Sequence, residues 1–173
     1  MQRLSLVILL LLSLLSGPAA SSPIVLNASS SGSVLNEKIE LLEDIGAQLT
    51  IADMADPALQ RRFQPAAGRA TVGQSRHPWW IKVTLQRETD APVQWWLENA
   101  GITIFNLQLY LPNGQSGWSI RETGDAVPYM EGRDHAYRRM VFKLPALGEE
   151  PITLYFRSFD PAGNSFPLKI WQL

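Results

Sequence analysis

The sequence predicts an all-β sandwich, and three observations carry that expectation. Apolar residues recur at every second position over many short stretches, the period of a strand with one buried face. Short connections carrying Gly, Pro, Asn or Asp join these stretches. Nowhere do strand patterns alternate with long helical ones, which argues against a parallel α/β sheet. The reading is about eight or more antiparallel strands with one short helix.

Taken in order, the first residues stand apart from the fold. Arg3 precedes the apolar run LSLVILLLLSLL (4–15), and Gly17, Pro18, Ala19 and Ala20 follow it. This is the layout of a secretory signal peptide over residues 1–20, and the run falls short of the roughly 20 residues of a membrane span. Residues 21–33, SSPIVLNASSSGS, are small and polar and read as a flexible leader. The folded domain is expected over 34–173.

Within it, VLNEKIELLED (34–44) alternates as a first strand, and LTIADM (49–54) reads as a short extended piece. DPALQRRF (56–63) is the one helix, with Asp56 suited to cap it and Pro57 to its first turn. Residues 64–78 read as a loop. The remaining strands are 79–86, 93–99, 102–111, 117–124, 138–144, 152–159 and 166–173, with a turn at Pro112-Asn113-Gly114.

Composition narrows the function classes. A chain of 173 residues with 46% apolar and 18% charged residues is globular and fits one domain. It has no cysteine, so disulfides, thiolate nucleophiles and cysteine metal sites are excluded. A formal net charge of -1 offers no basic surface for nucleic acid. The only histidines, His77 and His135, have no metal-site spacing, and no nucleophile motif or phosphate loop is present. Carboxylates such as Glu43, Asp44, Glu98 and Asp125 exist, but nothing pairs two of them across a cleft as a glycosidase requires. No catalytic residue, metal or cofactor is assigned, and the chain is expected not to be an enzyme.

The informative feature is the polar side of the strands. In HPWWIKVTLQ (77–86), Trp79, Ile81, Val83 and Leu85 share one face, leaving Trp80 beside Lys82, Thr84 and Gln86. In VQWWLEN (93–99), Val93, Trp95 and Leu97 turn inward and Trp96 and Glu98 outward. Phe105, Leu107 and Leu109 point in from the longest strand, and Tyr155 and Arg157 point out from ITLYFRS. A sugar ring has an apolar C–H face and a hydroxyl rim, and aromatic rings beside polar groups suit both. Aromatics are also favoured in strands with no ligand involved, so the assignment rests on the group and not on any single ring.

One family resembles this chain along nearly its whole exported length. The ordered features are LLEDIGAQLTIADM (41–54), WWIKVTLQ (79–86), WWLEN (95–99), LQLYLPNG (107–114), TGDAVPY (123–129), VFKLP (141–145), LYFRS (154–158) and PLKIW (167–171). They resemble the type-2 extracellular domain of bacterial seven-transmembrane receptors with diverse intracellular signalling modules. The matching residues are Glu43, Asp44, Trp80, Leu85, Leu97, Glu98, Gly124, Pro128, Phe142 and Arg157. The resemblance implies a jelly-roll-like β-sandwich, a carbohydrate-binding role outside the inner membrane, and a histidine kinase or diguanylate cyclase output. The membrane segment and output are absent from this chain, so the membrane is expected to be reached only through a missing or separate receptor segment.

The expectation is therefore an exported, periplasmic sensor domain. Trp80, Lys82, Trp96, Glu98, Tyr155 and Arg157 would form a ligand platform, provided that their three strands share a sheet. The partner is a carbohydrate or another small molecule. The alternative is an interaction module that docks on a receptor partner or pairs as a homodimer.

Overall fold

The computed structural model describes residues 22–101, 103–114, 117–129, 131–132 and 134–172. The expected signal peptide lies outside them. The strands are β1 (Ile24–Leu26), β2 (Glu40–Glu43), β3 (Gln64–Pro65), β4 (Thr71–Gly73), β5 (Trp79–Arg87), β6 (Trp96–Asn99), β7 (Asn106–Pro112), β8 (Trp118–Thr123), β9 (Met140–Lys143), β10 (Ile152–Phe159), β11 (Asn164–Ser165) and β12 (Leu168–Trp171). A 3-10 helix (Ile51–Ala55) and the short helix α1 (Pro57–Gln60) complete the set.

The large sheet runs β3-β2-β5-β10-β7-β8, with β1 added in parallel along β5. The small sheet runs β12-β6-β9, and β4 pairs with β11. From β5 onward, apart from the β7–β8 hairpin and the short β11, each successive strand lies in the other of the two main sheets, the habit of a β-sandwich. The main core lies between the sheets. Ile81, Val83, Leu85, Leu109, Leu154 and Phe156 of the large sheet meet Leu97, Phe142, Leu168 and Ile170 of the small one. These are the inward positions that the two-residue period assigns. Gly124 closes the far end of β8 at φ 123°, where a Cβ would stand 2.6 Å from the Phe105 carbonyl oxygen, so no other residue fits.

A second, smaller core lies on the opposite face of the large sheet. Leu42, Trp80, Tyr110 and Tyr155 are covered there by Met54, Leu59 and Phe63, with Leu49, Ile51 and Trp118 packed around them. The cover is residues 49–63, and its local chemistry fixes its shape. Asp44 accepts hydrogen bonds from the backbone N–H groups of Gln48 (3.0 Å) and Leu49 (3.2 Å), which turns the chain back over the sheet. The Thr50 N–H and hydroxyl both donate to Asp53 at 2.7 Å and hold that carboxyl below its ordinary pKa. Asp56 accepts from Ala58 N–H at 2.8 Å with Pro57 in the first turn, as expected of α1.

Four expectations need correction. Residues 49–54 form no extended piece: from Ile51 the chain winds into a 3-10 helix, because Asp53 bonds back to Thr50 and Met54 must reach the sheet. The first strand is confined to Glu40–Glu43. The described part of the leader is not loose. Ile24 and Leu26 are buried against β5, and Gly32 N–H donates to the Ile170 carbonyl on β12. Val93 and Phe105, assigned inward, are 52% and 47% exposed because each precedes the strand whose alternation was extended to it.

Candidate functional site

The six residues proposed as one platform occupy two opposite faces of the molecule. β5 and β10 are neighbours in the large sheet, which places Trp80 opposite Arg157 and Lys82 opposite Tyr155. β6 belongs to the small sheet, so Trp96 and Glu98 look out from the other side of the sandwich. The single platform is therefore not formed: the polar sides of the two sheets face away from each other across the shared core.

On the large sheet the candidate residues are occupied by one another. Trp80 is fully buried and packs on Tyr110 with ring centroids 5.4 Å apart. Tyr155 lies between Phe63 (6.1 Å) and Trp118 (5.7 Å), and its hydroxyl accepts from the Gln60 side-chain amide at 3.1 Å. Lys82 pairs with Glu40 at 2.9 Å, both largely buried, and sits over the Phe63 ring. Arg157 faces Asp44 at 3.8 Å, while its buried Nε has no hydrogen-bond partner among the described residues. Burial pushes the Tyr155 phenol above its ordinary pKa, against the Gln60 hydrogen bond and with the help of Glu40. Burial also raises that of Tyr110, against the pull of Arg157 and with a push from Glu122. No ring face of Trp80 is left for a ligand.

The small sheet presents the opposite situation. Its strand register sets two rows on the outer face: Lys169, Glu98 and Val141, then Trp171, Trp96 and Lys143. Trp96 and Trp171 are both half-buried. Residues 134–139 run over this face and complete a cavity of about 240 Å³ lined by Glu98, His135, Tyr137, Val141 and Trp171. Glu98 is the buried polar group of this cavity, with 5% exposure. It accepts from the Trp171 indole N–H at 2.5 Å and meets Arg139 at 3.3 Å. Arg139 also donates to the Ala100 carbonyl, which fixes its guanidinium. His135 touches the Trp96 ring edge-on at 5.8 Å. Gly32, at φ 83°, brings bare backbone against the six-membered ring of Trp171, where a Cβ would stand 3.3 Å away. The result is an apolar, aromatic hollow lined by one carboxylate, which the Trp171 indole and the Arg139 guanidinium hold in place, a composition suited to a ligand with an apolar face and hydroxyls.

A family model described as 7TMR-DISM extracellular 2 matches residues 36–172. The chain belongs to this family. A 7TMR-DISM extracellular domain is a receptor part that works outside the cytoplasm, and the exported location follows in that general sense. No curated protein matches the chain.

Most positions that resemble the family pattern hold this 7TMR-DISM domain together. Leu85, Leu97 and Phe142 are core residues, and Gly124 is required by its close approach to backbone. Glu43 accepts from the Ser75 hydroxyl at 2.8 Å, and Asp44 shapes the turn into the cover. The Pro128 carbonyl accepts from the N–H groups of Glu131 and Gly132. Glu98 alone among them lines the cavity.

Sequence reasoning found Trp96 and Glu98 but missed Trp171, Tyr137, His135 and Arg139. Trp171 carried a usable signal: in PLKIW, Leu168 and Ile170 turn inward, leaving Lys169 and Trp171 as the same aromatic-and-charge pairing on the polar side. His135, Tyr137 and Arg139 lie in a segment without periodicity, and only the fold brings it over β6. Among the described residues no group of side chains is arranged to hold a metal ion.

Proposed function

We propose that the chain is the ligand-sensing domain of a bacterial receptor and that it binds carbohydrate on the outer face of the small sheet. The observation that carries this reading is the hollow bounded by Trp171, Tyr137 and His135, with Glu98 held at its base by Trp171 and Arg139. Trp96 adjoins it in register with Trp171 and supplies a half-exposed ring for stacking. Glu98 and Arg139 supply an acceptor and donors for hydroxyls. In this reading ligand occupancy is passed to a membrane segment and a histidine kinase or diguanylate cyclase output.

The role is binding without turnover. Hydrolysis of a glycosidic bond needs two carboxylates flanking it. Among the described residues lining the cavity Glu98 is the single carboxylate, and it is already engaged by Trp171 and Arg139.

A thermal-shift screen against oligosaccharides tests the reading, because a ligand that binds only the folded state raises the melting temperature. The expected result is a shift with one saccharide class that disappears in Trp96→Ala. A shift that survives in Trp96→Ala, or no shift with any saccharide, overturns it.

A further inference from the structure

The charge around the hollow departs from that of the chain. Arg139, Lys143 and Lys169 stand around the Glu98 carboxylate, and with the nearby Asp134 cancelled by Arg121 the local balance is +2 on a chain of formal net charge -1. Glu98 is neutralised by Arg139. The two lysines have no carboxylate partner among the described residues. Their ammonium groups rest over the tryptophans instead, Lys143 5.8 Å from the Trp96 ring centroid and Lys169 6.0 Å from that of Trp171. The nearby Asp134 is directed elsewhere, pairing with Arg121 at 3.3 Å and accepting from the Lys143 backbone N–H.

A lysine over a half-buried indole is held only weakly. A carboxylate within reach competes for it easily, so the two lysines are held near the ring faces yet free to move to an anion. The register puts them at opposite corners of the six-residue array, Lys169 on β12 and Lys143 two positions along on β9. With strands about 4.8 Å apart and a rise of about 3.4 Å per residue, their Cα atoms are about 12 Å apart. That spacing of the attachment points is longer than one sugar ring, and the flexible four-carbon stems let the ammonium groups swing from the rings to charges carried on separate units of a chain.

We infer that the ligand of this face is an anionic oligosaccharide of the uronic-acid type, with ring faces stacked on the Trp96 side of the hollow and carboxylates taken by Lys143 and Lys169. This rests on the carbohydrate reading and narrows it. A neutral glycan would have to displace both lysines from the rings and leave them without a counter-charge. An acidic one supplies the counter-charge as it stacks. Two charge pairs near the surface also make the affinity depend on salt, since their attraction is screened over about 8 Å at physiological ionic strength.

The test is calorimetric titration of the protein with trimers of galacturonic, mannuronic and glucuronic acid, each beside its methyl ester. The ester keeps the rings and removes the charge. Tripolyphosphate serves as an anion without a sugar face. The expected result is that at least one acid trimer binds ten-fold or more tightly than its ester and than tripolyphosphate. That preference should fall at least ten-fold in the surface double variant Lys143→Gln, Lys169→Gln and shrink as salt is raised. Ester and acid binding alike, or an acid preference untouched by the double variant, overturns the inference and leaves the carbohydrate reading standing. Tripolyphosphate binding as tightly as the trimers marks a bare anion patch and overturns it too. No binding of any saccharide, charged or neutral, removes the carbohydrate reading and the inference with it.

Discussion

Trp80 on the large sheet and Trp96 on the small sheet both sit at outward positions of strands that also carry Lys or Glu, yet one is sealed and the other half-open. The strands themselves do not decide this. Residues 49–63 lay Met54, Leu59 and Phe63 over the large sheet and turn its polar side into a second core. Over the small sheet, residues 134–139 run past without filling the space, and a hollow of about 240 Å³ remains. An aromatic on a polar strand face is therefore ambiguous until the covering segment is known. What distinguishes the two is whether an apolar residue from a connection reaches it.

The sharpest way to break this comparison is Trp80→Ala. Removing a fully buried ring that packs on Tyr110 is expected to cost about 3–5 kcal/mol, read by denaturant unfolding. The affinity of the remaining folded protein for its ligand should not change. A variant that melts like the parent but loses binding would return the site to the large sheet.

Next in size is Lys82→Met. It leaves the Glu40 carboxylate buried without its 2.9 Å partner, at a cost of about 3 kcal/mol. The double variant Glu40→Leu, Lys82→Met should recover most of that loss in the same assay. A single variant of unchanged stability would mean that the second core is not closed.

Trp96→Ala is the counterpart on the open face. A half-exposed ring whose partners are His135 and Lys143 should cost less than about 1.5 kcal/mol of stability, while ligand affinity falls at least ten-fold. A large loss of stability would make the two faces alike.

The smallest effect is a pH dependence confined to the covered face. Tyr110 and Tyr155 have folded pKa values raised above the ordinary 10.0 by burial. Above pH 10 the unfolded chain releases phenolic protons that the folded chain retains. The stabilisation is thus complete below pH 10 and lost as the pH rises through the folded values. Tyrosinate absorbance should show a high-pH phase that is reduced in Tyr155→Phe. A titration identical in parent and variant would contradict a sealed second core.

The alternation in WWIKVTLQ and ITLYFRSF made the inner faces of β5 and β10 legible, because burial on one side of a pleated strand imposes the period directly. The helix at Pro57–Gln60 was legible from Asp56 and Pro57, whose roles are local. The partition of strands between the sheets was not. Which sheet β6 joins depends on pairings with β9 and β12, some 40 and 70 residues along the chain, and nothing within WWLEN encodes them. That partition split the expected platform and left Trp96 and Glu98 with new neighbours. The 3-10 cover was missed for a related reason: the apolar residues of LTIADM fit an extended reading until Asp53 is seen bonding back to Thr50.

β5 and β10 each alternate between the two cores. Ile81, Val83, Leu154 and Phe156 enter one, and Trp80 and Tyr155 enter the other. A party wall of this kind ties the two sheets to both cores, so the sheets should unfold as one cooperative unit. The exception is the cover, which is held on one side only. In native-state hydrogen exchange, residues 49–63 should open before the sheets, as a foldon with lower free energy than the whole.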